Sequence, residues 1–207
     1  NMLYMNITAR NDWSSTLPMG NNSYFYPGAT LSWIFTQLIP ENKILTFGKT
    51  RLAYGKTGND ASVYLTNPRF VQGYANGYYG SDIALFPMNG VNAFQAASTL
   101  GSTALKPEMT SEFEVGLNMQ FFNGRLGFDA AYYNRITTDQ IFTLPVDPAT
   151  GYSSMVTNFG EVSNIGIELV LNTTPIQTRN FRWDLDFNFS KNNNKVVSLP
   201  ESLEGGK

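Results

Sequence analysis

The chain has 207 residues and a net charge of −2, and only 14% of its residues are charged, against about 25% in ordinary soluble domains. Cysteine and histidine are both missing from it, which excludes disulfides, thiol or histidine catalysis and Cys/His zinc sites. Its basic residues do not cluster, so nucleic acid is not an expected partner. No apolar run approaches the roughly 18 residues of a membrane-spanning helix.

Seven stretches of the chain alternate between polar and apolar side chains, as β-strands with two different faces do. The most regular of them form a pair between residues 105 and 141, and the two strands of this pair meet at Asn123-Gly124. That dipeptide favours the tight turn of a β-hairpin. The predicted strands, in chain order, span residues 2–13, 24–35, 46–56, 112–121, 125–135, 155–172 and 181–197.

The connections between these strands fall into two groups that alternate along the chain. Because the strands are expected to be antiparallel, each group lies at one end of the sheet. One group is 14–23, 57–104, 143–154 and 200–207, and the other is 36–45, 122–125 and 173–180. The first group contains a very long loop, whereas the second is uniformly short. This asymmetry is typical of bacterial outer-membrane barrels, which have long extracellular loops and short periplasmic turns.

The two faces of the predicted sheet differ in chemistry. One carries aliphatic residues and Phe, with Trp13, Tyr132 and Trp183 among the aromatics towards the strand ends, as a lipid-facing band with aromatic girdles would. The other carries many ionisable groups, which a sandwich core would not tolerate but a water-filled lumen can. A soluble sheet with one wet face is the alternative. We predict an all-β fold, a segment of an antiparallel transmembrane β-barrel, whose lumen is lined by Arg51, Glu112, Glu114, Asp129, Arg135, Glu168, Arg182, Asp184 and Asp186.

The segment 57–104 loses sustained alternation and is rich in Gly, Asn, Tyr and Ser. A connection of this length is usually a functional loop, and we expect short extended pieces at 62–65 and 82–86. Aromatic rings stack on sugar faces, and Asn and Asp bond hydroxyl groups. The alternative is that these side chains pack the loop or contact a partner protein. The predicted ligand-binding residues are Tyr74, Asn76, Tyr78, Tyr79 and Asp82.

Two further patterns resemble chemical motifs but lack a necessary part. Glu112/Glu114 and Asp184/Asp186 each lie two apart, which places their backbones roughly 6.6 Å apart, near the spacing of glycosidase carboxylates. No hydrophobic pocket is evident that would give the two acids of a pair different roles. Gly48-Lys49-Thr50 resembles the end of a phosphate-binding loop without the earlier glycine that such a loop requires. The sequence therefore predicts no catalytic residue, no metal and no cofactor.

Five stretches carry more specific motifs: YMNITARNDWSSTLP (4–18), NNSYFYPGATLSWIF (21–35), RLAYGKTGND (51–60), LKPEMTSEFEVGLNMQFFNGRLGFDAAYYNRITTDQI (105–141) and NFGEVSNIGIELVLNTTP (158–175). Together, and in this order, they resemble the SusC/RagA family of TonB-linked outer-membrane transporters of Bacteroidota. The resemblance covers nearly the whole chain except the interior of 57–104.

The resemblance implies a parent barrel of about 22 strands around an N-terminal plug. Residues 1–207 would be part of that barrel wall, with 57–104 as an extracellular loop and the plug, the TonB box and the closing strand outside this chain. By itself this part would not close into a barrel. The glycines of the polar face would allow close approach of another backbone, such as that of the plug; they are Gly55, Gly116, Gly127 and Gly166.

The implied activity is import rather than catalysis. A SusC-like transporter of the outer membrane takes up oligosaccharides, or in some members peptides, with energy from TonB, which acts on the N-terminal region of the parent protein. The implied partners are a SusD-like surface lipoprotein that lids the barrel, the ligand, and outer-membrane lipid. A passive porin or an adhesin-presenting barrel is the main alternative, and a soluble carbohydrate-binding β domain is a third.

Overall fold

The computed structural model describes residues 2–40, 42–76, 83–85, 87 and 89–198. Within these ranges no helix is long and apolar enough to span a membrane. Two short 3-10 helices occupy Phe35–Leu38 and Pro148–Thr150. The strands are β1 Leu3–Trp13, β2 Ser23–Trp33, β3 Leu45–Asn59, β4 Phe70–Gln72, β5 Tyr74–Asn76, β6 Ile83–Leu85, β7 Phe94–Ala96, β8 Thr99–Leu100, β9 Glu108–Phe121, β10 Leu126–Thr138, β11 Ile141–Pro145, β12 Ser154–Asn158, β13 Glu161–Gln177 and β14 Arg182–Ser198.

The seven long strands form one sheet in the order β1-β2-β3-β9-β10-β13-β14. Every neighbouring pair is antiparallel, and the order of these strands in the sheet follows their order in the chain. The prediction of an all-β fold with seven antiparallel strands is confirmed. Among the described residues β1 and β14 remain the two edges, and the sheet is open, as expected for part of a barrel.

The β9–β10 hairpin has the predicted turn. Phe122, Asn123 and Gly124 have positive φ angles of 54°, 54° and 82°, and Arg125 N donates to Phe122 O at 3.3 Å. Asn and Gly tolerate this left-handed backbone, which matches the twist of the flanking strands. The turn fixes the register in which Phe121 lies opposite Leu126, and hence the pairing of every residue along both strands.

The predicted strand 155–172 is wrong as a single element, because it consists of two strands. Gly160 has a φ of +84°, a conformation that turns the chain between β12 and β13. Strand β12 leaves the main sheet and pairs antiparallel with β11 and parallel with β8. The alternation of polar and apolar residues carried no sign of this change of partner.

The predicted turn 173–180 is too long. Strand β13 continues through Pro175 to Gln177, and a register shift between Thr173 and Ile176 marks a bulge. A bulge interrupts the hydrogen-bond ladder, so a residue without a backbone N–H is tolerated there. The true turn is short, and in it Thr178 N donates to Phe181 O at 2.7 Å.

The described part of the long loop contains five short strands, β4 to β8, and β3 itself runs on to Asn59. Of the extended piece expected at 82–86, the described part 83–85 is strand β6, and its two end residues lie outside the described residues. The one expected at 62–65 is wrong, because this stretch forms a turn. Tyr64 in this turn has a φ of 66°, which a β-strand does not allow.

The buried core lies at the end of the sheet that carries the long loops. Leu17, Ala61, Leu105 and Val156 form its centre, and Tyr24, Leu65 and Ile141 pack against them. Leu105 and Val156 are the largest fully buried side chains of the described residues. These residues come from four separate loops or strand ends, so the cluster ties the loops together. Among the described residues this cluster does not extend beneath either face of the main sheet.

Candidate functional site

The register of the main sheet gathers the predicted ionisable residues on one face. Cross-strand partners point the same way, and one row runs through Gly55, Glu112, Arg135, Asn164 and Asn194. A second row includes Arg51 and Glu168, and alternation along each strand adds the rest. We call this the polar face; it carries Arg51, Glu112, Glu114, Asp129, Arg135, Glu168, Arg182, Asp184 and Asp186.

Arg51 links three strands on the polar face. From β3 it crosses β9 and reaches Asp129 on β10 with two hydrogen bonds, Nη1–Oδ2 at 3.1 Å and Nη2–Oδ1 at 2.9 Å. On the way its Nε bonds Glu114 Oε1 at 3.2 Å. Asn118 Nδ2 donates to Asp129 Oδ2 at 2.6 Å. Paired, forked contacts of this kind fix a guanidinium group in one place, so Arg51 holds three neighbouring strands together on this face.

Glycine makes room for this crossing. A Cβ at Gly116 would lie 2.4 Å from Arg51 Nε, and one at Gly166 would lie 2.3 Å from Cζ of Tyr133. The sequence led us to expect another backbone close to these glycines. At Gly116 and Gly166 the space is instead filled by side chains of the same sheet. A Cβ at Gly127 would make only ordinary contacts, the nearest at 3.8 Å, and one at Gly55 would meet nothing within 4 Å.

Three further arginine–carboxylate pairs lie on the polar face, whereas Asp186 accepts a hydrogen bond from Asn172 Nδ2 at 2.6 Å and Glu168 forms no ion pair with the described residues. Arg135 bonds Glu112, and Arg182 bonds Asp184 at 2.8 Å. Arg10 bonds Asp12, which also accepts a hydrogen bond from the hydroxyl of Tyr26. Since Glu112 and Glu114 bind different arginines, they do not form a free acid–base pair. Sequence reasoning did not single out Asn118 or Tyr26, because their roles depend on cross-strand partners.

The opposite, apolar face has no cover within the described chain. Ile7 is 67% exposed, Trp13 72% and Phe187 57%. In a soluble protein so large an exposed apolar surface marks an interaction site. In this protein the exposed apolar surface extends over the strands of the whole main sheet, and the opposite face is rich in paired charges. This is the reverse of a soluble sheet, in which the apolar face covers a core.

The apolar stripe crosses the sheet at an angle to the hydrogen bonds. A single row of partners runs from Leu3 on β1 through Trp33, Thr50, Leu117, Ala130 and Leu169 to Phe189 on β14. On β1 this row lies at the end of the stripe nearest the short turns, and from Leu3 the stripe continues towards the long loops as far as Trp13. On β14 the same row lies at the other end of the stripe, the one nearest the long loops, because the next outward residue on this face is Lys191. From Phe189 the stripe continues towards the short turns as far as Trp183.

The slope of the stripe measures the tilt of the strands. Relative to the row of partners, the midpoint of the stripe moves along the strands by about seven to eight residues between β1 and β14. These two strands are six strand-to-strand steps apart, and each residue spans roughly 3.3 Å and each step roughly 4.8 Å. A stripe of constant height therefore requires strands tilted by about 40°, within the range of about 35–45° of transmembrane barrels. The pattern fits a band of lipid around a tilted wall.

The loop end of the sheet is tied down by polar contacts. Asn158 Nδ2 donates to the carbonyl oxygens of Lys106 at 2.8 Å and Asp139 at 2.7 Å, and its Oδ1 accepts from Lys106 N at 2.8 Å. Ser14 Oγ donates to Asp60 at 2.6 Å. Asn21 donates to Leu105 O at 3.0 Å. These bonds join loops that lie far apart in sequence.

The predicted ligand-binding residues lie only partly within the described structure. Tyr74 and Asn76 are the ends of β5, which pairs with β6. Tyr78, Tyr79 and Asp82 lie outside the described residues, so ligand binding by this loop stays a prediction. Elsewhere in the described ranges, no group of three or more His, Cys, Asp and Glu side chains is placed to hold a metal ion.

A concavity of ≈ 1010 Å³ lies over the polar face, between β1 and β10. Its lining includes Arg10, Tyr26, Glu112, Glu114 and Arg135. The polar face is therefore hollow on this side and offers space for water or a ligand above the paired charges.

Comparison with known proteins agrees with this geometry. The family model described as TonB dependent receptor-like, beta-barrel matches residues 3–202. A TonB-dependent receptor of Formosa agariphila is 33% identical over 197 residues, which are 94% of this chain and 19% of that protein. The TonB-dependent receptor SusC of Bacteroides thetaiotaomicron is 28% identical over 214 residues, covering 96% of this chain and 20% of SusC.

A solved structure of the RagAB peptide transporter superposes with a TM-score of 0.82 at 25% identity, covering 96% of this chain and 21% of that one. The chain thus spans about a fifth of the length of these relatives. The resemblance to the SusC/RagA family is confirmed. The chain belongs to the TonB-dependent receptor-like β-barrel family.

Proposed function

We propose that the chain is part of the wall of a SusC-like TonB-dependent transporter that imports oligosaccharides or peptides across the outer membrane of a Gram-negative bacterium of the Bacteroidota. One observation carries the proposal: a tilted, exposed apolar stripe lies opposite a concave face of paired charges. Lipid covers the stripe, and the polar face lines an aqueous lumen. The family consists of TonB-dependent transporters and receptors, which are not enzymes.

The nine predicted ionisable residues line this lumen. They are three arginines and six carboxylates, so the face that they form is polar and carries an excess of negative charge, and each of the three arginines is held by at least one of these carboxylates. Capture takes place at the external loops, including 57–104 with Tyr74, Asn76, Tyr78, Tyr79 and Asp82. Stiff contacts such as those of Asn158 hold these loops in place on the barrel rim.

The partners follow from the relatives. SusC is named as a TonB-dependent receptor and RagAB as a peptide transporter. We infer that the parent protein works with a SusD-like surface lipoprotein above the external loops. TonB acts on the N-terminal region and moves the plug, so that the ligand passes along the polar face.

Uptake measurements test the proposal. Cells that express the full-length parent protein and its lipoprotein are given fluorescent oligosaccharides or peptides, with the TonB gene intact or deleted. We expect uptake to require both the transporter and TonB. Uptake that persists without TonB, together with an open conductance of the purified protein in planar bilayers, would instead establish the passive porin.

A further inference from the structure

The basic residues of the main sheet differ between its two faces. On the polar face every arginine of the described strands is paired with a carboxylate. On the apolar face alternation places three exposed lysines, Lys56 on β3 and Lys191 and Lys195 on β14. None of the three forms an ion pair with the described residues. Because nothing in the described chain neutralises them, these lysines are available to an external anion.

These lysines all lie at the end of the apolar stripe that is nearest the long loops. Lys56 follows Tyr54 on the same face of β3. On β14 the stripe ends at Phe189, and Lys191 and Lys195 continue the same face towards the loops. Within the described strands, no basic residue of this face lies inside the stripe or at its short-turn end. The positive charge is therefore confined to the level at which the headgroups of the outer leaflet would begin.

On β14 the two lysines stand four residues apart, with Asn193 between them on the same face. Their backbones are roughly 13 Å apart, a distance that two flexible four-carbon side chains can close from both sides. The neighbouring strand β13 contributes Ser163 opposite Lys195 and Ile167 opposite Lys191. The ammonium, amide and hydroxyl groups all donate hydrogen bonds, so the cluster suits an oxyanion. Ile167, which is 51% exposed, leads from the cluster into the apolar stripe.

One carboxylate shares this side of the sheet. Alternation from Ser163 places Glu161 on the apolar face, opposite Ser198. Glu161 forms no ion pair with Lys191, Lys195 or any other basic residue that the structure describes. Two lysines against one carboxylate leave the cluster with an excess of positive charge.

We propose that Lys191, Asn193 and Lys195 form a binding site for the phosphorylated headgroup of an anionic lipid in the outer leaflet. The inference rests on the proposed function, which places the apolar stripe in lipid with the long loops outside. The acyl chains lie along the stripe past Ile167 and Phe189, and the two ammonium groups bind the phosphate as point charges. A lipid fits this site better than a soluble anion, because the site is continuous with the surface that lipid covers.

The test removes the two charges. Lys191→Gln with Lys195→Gln keeps two polar side chains without their charge. Lys43→Gln is the matched control, since Lys43 is also exposed but lies in a short connection at the opposite end of the sheet. Each variant is made in the full-length protein, purified with its lipoprotein in detergent micelles and titrated by native mass spectrometry. The probes are diphosphoryl lipid A, the same lipid after enzymatic removal of both phosphates, and inorganic phosphate.

We expect the double glutamine variant to bind diphosphoryl lipid A about thirtyfold more weakly than wild type, because each lysine near an anionic surface is worth roughly fivefold in affinity. Lys43→Gln should bind it as wild type does. Removal of the phosphates should weaken binding to wild type and abolish the difference between wild type and the double variant. A second variant, Lys191→Arg with Lys195→Arg, keeps both charges and should retain binding, which separates loss of charge from loss of folding.

Three outcomes would overturn the inference: equal binding of diphosphoryl lipid A by the double glutamine variant and wild type, equal binding of both forms of the lipid by wild type, or displacement of the lipid by equimolar inorganic phosphate. The second comparison needs no variant, so it decides the matter even if the double variant does not fold. The proposed import function is tested separately. TonB-dependent uptake together with any of these three outcomes leaves the transporter and removes the lipid site. Uptake without TonB removes the import function but not the lipid site, which needs only the wall in the outer membrane.

Discussion

Adding one methyl group at Gly116 should destabilise the wall, although the same change in most strands is favourable. Glycine in a strand costs roughly 0.5–1 kcal/mol relative to alanine. At Gly116, however, the new Cβ would lie 2.4 Å from Nε and 2.6 Å from Cγ of Arg51. Arg51 must then leave its position over β9 and lose its contacts with Asp129 and Glu114.

The size of the effect follows from those contacts. The Arg51–Asp129 pair is bidentate, but both side chains are about one-third exposed, at 31% and 30%. Solvent screening reduces a surface pair to about 1 kcal/mol or less, and the forked geometry with the added bond to Glu114 raises the total to about 1–2 kcal/mol. After the gain from replacing glycine, Gly116→Ala should destabilise the protein by about 1 kcal/mol.

The matched control is Gly127→Ala, on the same face of the same sheet. Its Cβ would make only ordinary contacts, the nearest with Asn172 at 3.8 Å, so we expect a gain of about 0.5 kcal/mol. The free energy of unfolding is measured for the full-length protein in detergent micelles, by urea titration followed by tryptophan fluorescence. The two variants should move the midpoint in opposite directions.

A double-mutant cycle tests the cause. In an Arg51→Ala background the added methyl group at Gly116 has nothing to displace, so Gly116→Ala should become neutral or favourable. The coupling energy between the two sites should be about 1 kcal/mol or more. Equal effects of Gly116→Ala and Gly127→Ala, or a cycle without coupling, would refute the reasoning.

Three further predictions concern the lipid face and the loops. Ile7→Arg, near the middle of the apolar stripe, should cost about 2–4 kcal/mol and reduce the folded band in heat-modifiability gels; Asn6→Arg on the polar face should not. Asn158→Ala removes three hydrogen bonds between loops and should speed protease cleavage of the external loops on intact cells. Val63→Cys should react with a membrane-impermeant maleimide on intact cells, whereas Leu38→Cys, equally exposed at 62% but in a short turn, should not.

Each of these has a contrary result. Equal folding of the two arginine variants would contradict the placement of lipid. Unchanged protease sensitivity would mean that Asn158 does not hold the loops. Labelling of Leu38→Cys in place of Val63→Cys would reverse the orientation of the sheet in the membrane.

The amino-acid sequence by itself determined that seven long strands form the main sheet and which face of that sheet their side chains take. Alternation has a period of two residues, so it is a local property that Phe113 and Glu114 already display. The turn at Asn123-Gly124 was equally local, because it depends on the left-handed conformations that two adjacent residues tolerate. The resemblance to SusC/RagA added the class of transporter.

Only the tertiary structure decided which residues contact one another and which strands pair. Arg51 bonds Asp129, 78 positions further along the chain, and this contact needs the register of three strands and the absence of a side chain at Gly116. The division of 155–172 into β12 and β13 depended on the pairing of β12 with β11 and β8. The cluster of Leu17, Ala61, Leu105 and Val156 forms only because loops that are distant in sequence meet. Alternation fixes the direction of a side chain, but what it touches depends on register and loop packing, which are set between segments far apart in sequence.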